Sequence, residues 1–242
     1  MATKLPAVIG TKQNLKTALE MITPELQKAG SVDVDKLVNV IRTEAAKNAD
    51  ILKCRTDTVI QAANTAAQLG LYPLGISKLA YLVPYKQDCQ LIVGYKGLMR
   101  LARQAGIKIS IPQIVYENDE FSYGYGLEPY LIHKPASEGG KIMGTYCVYK
   151  EKDQEREFLY MTDEEIQSVK KKSPGSSRPS SPWNTDYPAM ARKTVIRRVC
   201  NFLDHDFEPL QKAVYEDEMA DVIEADYEVD DQITETLGKI EN

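Results

Sequence analysis

The sequence predicts an α+β protein, with a mostly antiparallel sheet built from hairpins and helices before and after it. Three observations carry that expectation. Apolar residues recur at helical spacing from Asn14 to Leu69, alternate with period two between Leu79 and Met161, and return to helical spacing from Tyr187 to Leu203. Strands grouped in mid-chain, instead of alternating singly with helices, argue against a βαβ fold. At 242 residues and 43% hydrophobic, the chain can bury one substantial core. We divide it into an N-terminal helical arm (1–30), a central domain (31–205) and a C-terminal helix with an acidic tail (206–242).

Residues 14–28 and 34–49 read as helices, the second with Leu37, Val38, Val40, Ile41, Ala45 and Ala46 at roughly helical spacing. A third, alanine-rich helix runs from Asp57 to Leu69, with Gly70 placed to stop it in a left-handed cap. Leu79–Pro84 and Cys89–Val93 are β-prone, and the polar residues 85–88 between them read as a hairpin turn that leads into a helix at 94–106. Strand candidates follow at Lys108–Tyr116, Glu120–Tyr123, Tyr130–His133, Lys141–Tyr149 and Glu157–Met161. Thr162-Asp163-Glu164-Glu165 is a capping box opening a short helix that ends in Lys170-Lys171-Lys172, and the Ser/Pro-rich residues 173–182 have loop composition. The long helix Tyr187–Leu203 carries Ala191, Val195, Val199 and Phe202 as an apolar stripe, with Lys193 and Arg197 pointing away from it. A last short helix, 209–220, precedes the acidic end.

Charge is distributed unevenly. Residues 204–242 hold 14 acidic residues against Lys212 and Lys239, a net of −12, which leaves 1–203 with a net of +7. A basic body with an acidic tail points to a nucleic-acid partner. The helix at 94–106 shows how. Tyr95, Leu98, Met99, Leu101, Ala102 and Ala105 share an apolar face, and Lys96, Arg100 and Arg103 line up on the opposite one. No acidic residue lies between Asp88 and Glu117 to neutralise that row, so it awaits either solvent or a phosphate backbone. Lys108, Lys170, Lys171, Lys172, Arg178, Arg192, Lys193, Arg197 and Arg198 add cations, interleaved with Tyr95, Trp183 and Tyr187, the mix that holds single strands. Tyr95 and Trp183 each have a second reading, as core and as an anchor for the last helix.

Covalent chemistry finds little support. His133 and His205 have no Cys or paired carboxylate at metal-ligand spacing and read as surface or loop residues. Gly139-Gly140-Lys141 is followed by Ile142 where a phosphate loop needs Ser or Thr. Glu117, Asp119 and Glu120 could together hold magnesium, although acidic residues at a strand turn are usually solvated. Cys54, Cys89, Cys147 and Cys200 form no Cys-x-x-Cys pair, which fits a reducing cytoplasm, and we see no secretion leader or membrane span. We therefore expect no catalytic residue, no metal and no cofactor.

Several stretches are familiar together: Gln68-Leu69-Gly70-Leu71-Tyr72-Pro73, Tyr81-Leu82-Val83-Pro84-Tyr85, residues 90–97, Glu120-Phe121-Ser122-Tyr123, Leu131-Ile132-His133-Lys134-Pro135, Pro182-Trp183, Met190-Ala191-Arg192-Lys193-Thr194 and Ile196-Arg197-Arg198. In this order, over roughly residues 35–215, the chain resembles the RecT family of phage single-strand annealing proteins. The resemblance implies an ATP-independent recombinase that coats single-stranded DNA, pairs it with its complement and releases annealed duplex, beside a 5′-3′ exonuclease and a single-strand binding protein as partners. It implies a β-β-β-α core of the Rad52-like superfamily, and homo-oligomers as rings or helical filaments. By it, the Gly94 to Gly97 motif with Lys96, and Lys193 with Arg197, line the DNA groove. Two alternatives stay open: a sequence-tolerant single-strand protector that never anneals, and a metal-dependent nuclease using Glu117, Asp119 and Glu120.

Overall fold

The structure is a computed structural model that describes residues 34–73, 79–173, 176–179, 181–203 and 207–218, together with Thr17, which is helical. The rest of the expected helix at 14–28, His205 and the acidic end lie outside the described residues. The chain divides into two compact units, one formed by the residues up to Gly97 with the helical residues 208–218, the other running from Leu98 to Phe207.

In the first unit, α1 (Val34–Lys47) and α2 (Thr56–Gln68) flank a 3₁₀ turn (Ala49–Lys53). Val40 and Ile41 are fully buried, while Ala46 stays exposed. Gly70 has φ +65° and the Leu71 N–H reaches back to the Ala66 carbonyl at 2.8 Å, the expected left-handed stop. Strands β1 (Ala80–Tyr85) and β2 (Asp88–Val93) form an antiparallel hairpin in register from Ala80↔Val93 to Tyr85↔Asp88. Its turn is pinned to the start of α2, since the Arg55 N–H donates to the Gln87 carbonyl at 2.6 Å and Arg55 Nε meets Asp88 Oδ1 at 2.7 Å. The helix at 208–218 closes this unit. Leu210 and Ala213 are fully buried, and Lys212 Nζ donates to Gln68 Oε1 at 2.8 Å.

The boundary between units falls within α3 (Tyr95–Gln104). Beyond it, β7 (Ile142–Lys150) is the central strand, with β8 (Glu157–Thr162) on one side and both β3 (Lys108–Ile109) and β4 (Gln113–Tyr116) on the other, all antiparallel. The single strand expected over 108–116 is therefore two. Pro112 has no N–H to give a ladder, so pairing lapses there and resumes against the same neighbour. Strands β5 (Glu120–Gly124) and β6 (Tyr130–Lys134) form a separate antiparallel hairpin.

Helix α4 (Asp163–Lys172) opens with the expected box: the Glu165 N–H donates to Thr162 Oγ1 at 3.3 Å, and the Thr162 N–H to Glu165 Oε2 at 3.0 Å. The short α5 (Pro182–Thr185) leads to α6 (Tyr187–Phe202), capped by Asp186. Helix α6 packs on β7 through Ala191, Val195 and Val199, none more than 1% exposed. Phe202, expected to continue that stripe, is 66% exposed. The buried position after Val199 is Leu203, which continues the four-residue spacing of Ala191, Val195 and Val199, whereas Phe202 sits only three residues on.

Candidate nucleic-acid interface

Helix α3 is positioned by its first turn. The Gly94 N–H donates to the Leu79 carbonyl at 2.9 Å, and a methyl group placed on Gly97 would collide with that same carbonyl oxygen and press on Val93. Both glycines are buried, so their spacing serves the close approach of helix to strand. Gly97→Ala is expected to destabilise the protein by about 1–3 kcal/mol, the range for overpacking, and a melting curve matching wild type would refute the tight approach. Leu98, Leu101 and Ala102 are fully buried, with Tyr95, Met99 and Ala105 half-buried beside them. The helix ends at Gly106, φ +84°, where the Ile107 N–H reaches the Ala102 carbonyl at 2.9 Å and the Gly106 N–H the Arg103 carbonyl at 3.1 Å.

What remains outward is the row Lys96, Arg100 and Arg103. All three are exposed, and none makes a hydrogen bond or ion pair among the described residues. Three cations about one turn apart, with no carboxylate among the described residues to meet them, form a surface suited to phosphates. Tyr81 on β1, which sequence reasoning passed over, stands near the start of this row. Burial pushes its hydroxyl pKa up, as does the neighbouring Tyr95 hydroxyl. Alternation along β1 was the signal, since Ala80 and Leu82 face the core and Tyr81 between them is 39% exposed.

The cations of α6 are placed differently. Arg192 Nε donates to the Pro112 carbonyl at 3.3 Å, and Arg198 Nη1 pairs with Glu165 Oε1 at 3.1 Å, its guanidinium 5.9 Å from the Phe202 ring centroid. Lys193 and Arg197 are half-exposed and each is engaged within the molecule. Lys170 ties α4 to α5 through Asn184 Oδ1 at 2.8 Å, which leaves Lys171 and Lys172 as the exposed lysines of that run. Trp183 is only 5% exposed and lies tilted 6.2 Å from the Tyr187 ring, so of its two readings the structure supports the anchor; its ring is covered and does not offer a face to a base.

Two expectations need correcting. His133 is no surface residue: its side chain is 5% exposed, with Nε2 3.0 Å from Asp119 Oδ2 and Nδ1 3.1 Å from Tyr146 Oη. Asp119 is likewise not solvated. Its side chain is 1% exposed, and besides His133 it accepts the N–H of Tyr116 and of Ala136, both at 2.8 Å. Those donors hold its carboxyl below the usual range, the Ala136 N–H foremost. Glu120 is paired with Lys134 at 2.7 Å. Among the described residues no three His, Cys, Asp or Glu side chains are gathered to hold a metal ion, so Glu117, Asp119 and Glu120 do not make the site a nuclease would need.

The family model described as the RecT family matches residues 35–233, a span that takes in α3, the antiparallel sheet and α6. The chain belongs to the RecT family. It is 34% identical over 194 residues to Protein RecT of Escherichia coli (strain K12), covering 76% of this chain and 71% of that one. It is 30% identical over 174 residues to the uncharacterised protein YqaK of Bacillus subtilis (strain 168), covering 71% of this chain and 60% of YqaK. The RecT match therefore includes every cation discussed above, from Lys96 to Arg198. No described helix is long and apolar enough to cross a membrane.

Proposed function

We propose that this protein is an ATP-independent single-strand annealing protein, which binds single-stranded DNA and pairs it with its complement in recombination. The observation that carries the proposal is the row of Lys96, Arg100 and Arg103, exposed and unpaired among the described residues, in a chain of the RecT family. Annealing needs neutralised phosphates and bases left free to pair. It needs no fuel, since stacking supplies on the order of 1.4 kcal/mol per base-pair step. The row meets the first requirement without covering bases, and Lys171, Lys193 and Arg197 are further contacts in this reading, with Arg192 and Arg198 already engaged within the fold. In this reading the protein works without covalent chemistry or a cofactor, in the cytoplasm, as a homo-oligomer in a ring or helical filament that extends a short groove along many nucleotides. A 5′-3′ exonuclease and a single-strand binding protein are its partners.

Labelled complementary oligonucleotides incubated with the protein and magnesium test this directly. Joined strands support annealing, bound but unjoined strands indicate a protector, and cut strands indicate a nuclease. Binding is expected to be weakly dependent on sequence and strongly dependent on salt, because the contacts are Lys and Arg on phosphates. Affinity that is equal at low and moderate salt would contradict the electrostatic account.

A further inference from the structure

Asp221, Glu224, Asp226, Glu228, Asp230 and Asp231 fall within an eleven-residue stretch that contains no Lys or Arg. A run of this density repels any phosphate backbone and is drawn to cations. The molecule offers a cationic surface of matching length. Lys96, Arg100 and Arg103 are exposed and unpaired among the described residues, whereas Arg192, Arg198 and Lys170 are each bonded within the fold, to the Pro112 carbonyl, Glu165 and Asn184. Lys193 and Arg197 are engaged as well. From Lys96 to Arg103 the helix rises roughly 10 Å. On an extended backbone the alternate residues Asp226, Glu228 and Asp230 set three carboxylates along roughly 13 Å, at roughly 3.3 Å per residue. The long side chains of Lys and Arg take up the difference. Reach is ample too. Glu218 ends the described helix at 208–218, which belongs with Lys96 to the first compact unit. Thirteen residues separate Glu218 from Asp231, up to roughly 45 Å of chain. A unit of about 110 residues is only roughly 35 Å across, so Lys96 lies within range.

We propose that the acidic run at 221–231 docks on the Lys96, Arg100 and Arg103 row of α3 in its own chain, and is displaced from it when single-stranded DNA binds. This rests on the single-strand binding reading above and adds a competitor for the same cations. Tethering places the run at an effective concentration on the order of 1 mM. A contact with a Kd of about 0.1 mM then occupies the row in about nine molecules of ten, and apparent DNA affinity falls about tenfold. The row is closed to weak polyanions and open to a strand that makes further contacts.

The test uses the full chain carrying Asp226→Asn/Glu228→Gln/Asp230→Asn/Asp231→Asn, which removes four charges at nearly constant volume and leaves the helix at 208–218 untouched. This variant is expected to bind a labelled oligo(dT) about tenfold tighter than wild type at about 50 mM salt, with the gap closing by about 200 mM as both contacts are screened. In a chain that also carries Lys96→Ala/Arg100→Ala/Arg103→Ala, the same four substitutions should give no gain. A fluorescent peptide of residues 221–235 reads the docking without DNA. It should bind the tail-neutralised chain with a Kd of about 0.1 mM, leave it when oligo(dT) is added, and ignore the chain that lacks the row. No gain in the wild-type background would overturn the inference while leaving single-strand binding intact. An equal gain with and without the row, or a peptide that fails to distinguish the two chains, would mean that the acidic run does not dock on α3, which overturns it as well. Failure of both wild type and the tail-neutralised chain to bind oligo(dT) would overturn the functional reading along with the inference.

Discussion

Asp119→Ala is expected to lower the thermal midpoint by roughly 10 °C, the equivalent of about 3 kcal/mol at this chain length. The carboxylate gathers three donors from separate pieces of chain, the Tyr116 N–H at the end of β4, His133 on β6 and the Ala136 N–H beyond it. Removing it leaves all three without their acceptor, the Tyr116 N–H and His133 at a part-buried site, which costs more than the loss of any one hydrogen bond. The same bonds give a pH signature. Because the carboxyl is held below its unfolded value, its stabilisation is complete above the ordinary carboxylate pKa of about 4 and fades as pH falls through that value toward the lower folded one. The gap in thermal midpoint between wild type and Asp119→Asn should therefore narrow on acidification below about pH 4. An Asp119→Ala protein melting within a degree of wild type would show that the buried pair does not tie the hairpin down.

The second large effect concerns DNA. Lys96→Ala/Arg100→Ala/Arg103→Ala is expected to weaken single-strand binding by about 2 kcal/mol at low salt, some thirtyfold. It should also flatten the plot of log affinity against log salt by about two, at roughly 0.7 per phosphate contact on a single strand. The folded state should hardly notice, since all three side chains are exposed and leave no partner behind among the described residues. A parallel loss of thermal stability would make them structural cations. Arg198→Ala should weaken binding less, because Arg198 already has a carboxylate partner in Glu165.

Local chemistry was legible in the sequence, and long-range chemistry was not. The capping box of Thr162 and Glu165, the stop at Gly70 and the turn between β1 and β2 are each decided by residues a few positions apart. The apolar and cationic faces of α3 follow from helical period alone. Asp119 and His133 are fourteen positions apart and meet only because the β5–β6 register places Phe121 opposite His133. Without that register, a histidine in a polar stretch reads as solvated. The lone tryptophan was ambiguous for a related reason, as its burial depends on α5 folding against Tyr187. Which cations are engaged was equally hidden: Arg198 and Glu165 lie thirty-three positions apart.

The first unit is made from both ends of the chain, and this fixes an order of events during synthesis. Residues 34–97 leave the ribosome early, but the helix that closes their core, with Leu210 and Ala213 fully buried, is translated more than a hundred residues later. The described residues of the second unit form one continuous stretch, from Leu98 to Phe207. The part of the protein made second can therefore be complete while the part made first still waits for its last helix. A ribosome stalled with the closing helix still inside its exit tunnel would hold a finished sheet of β3, β4, β7 and β8 together with an N-terminal unit open to proteases.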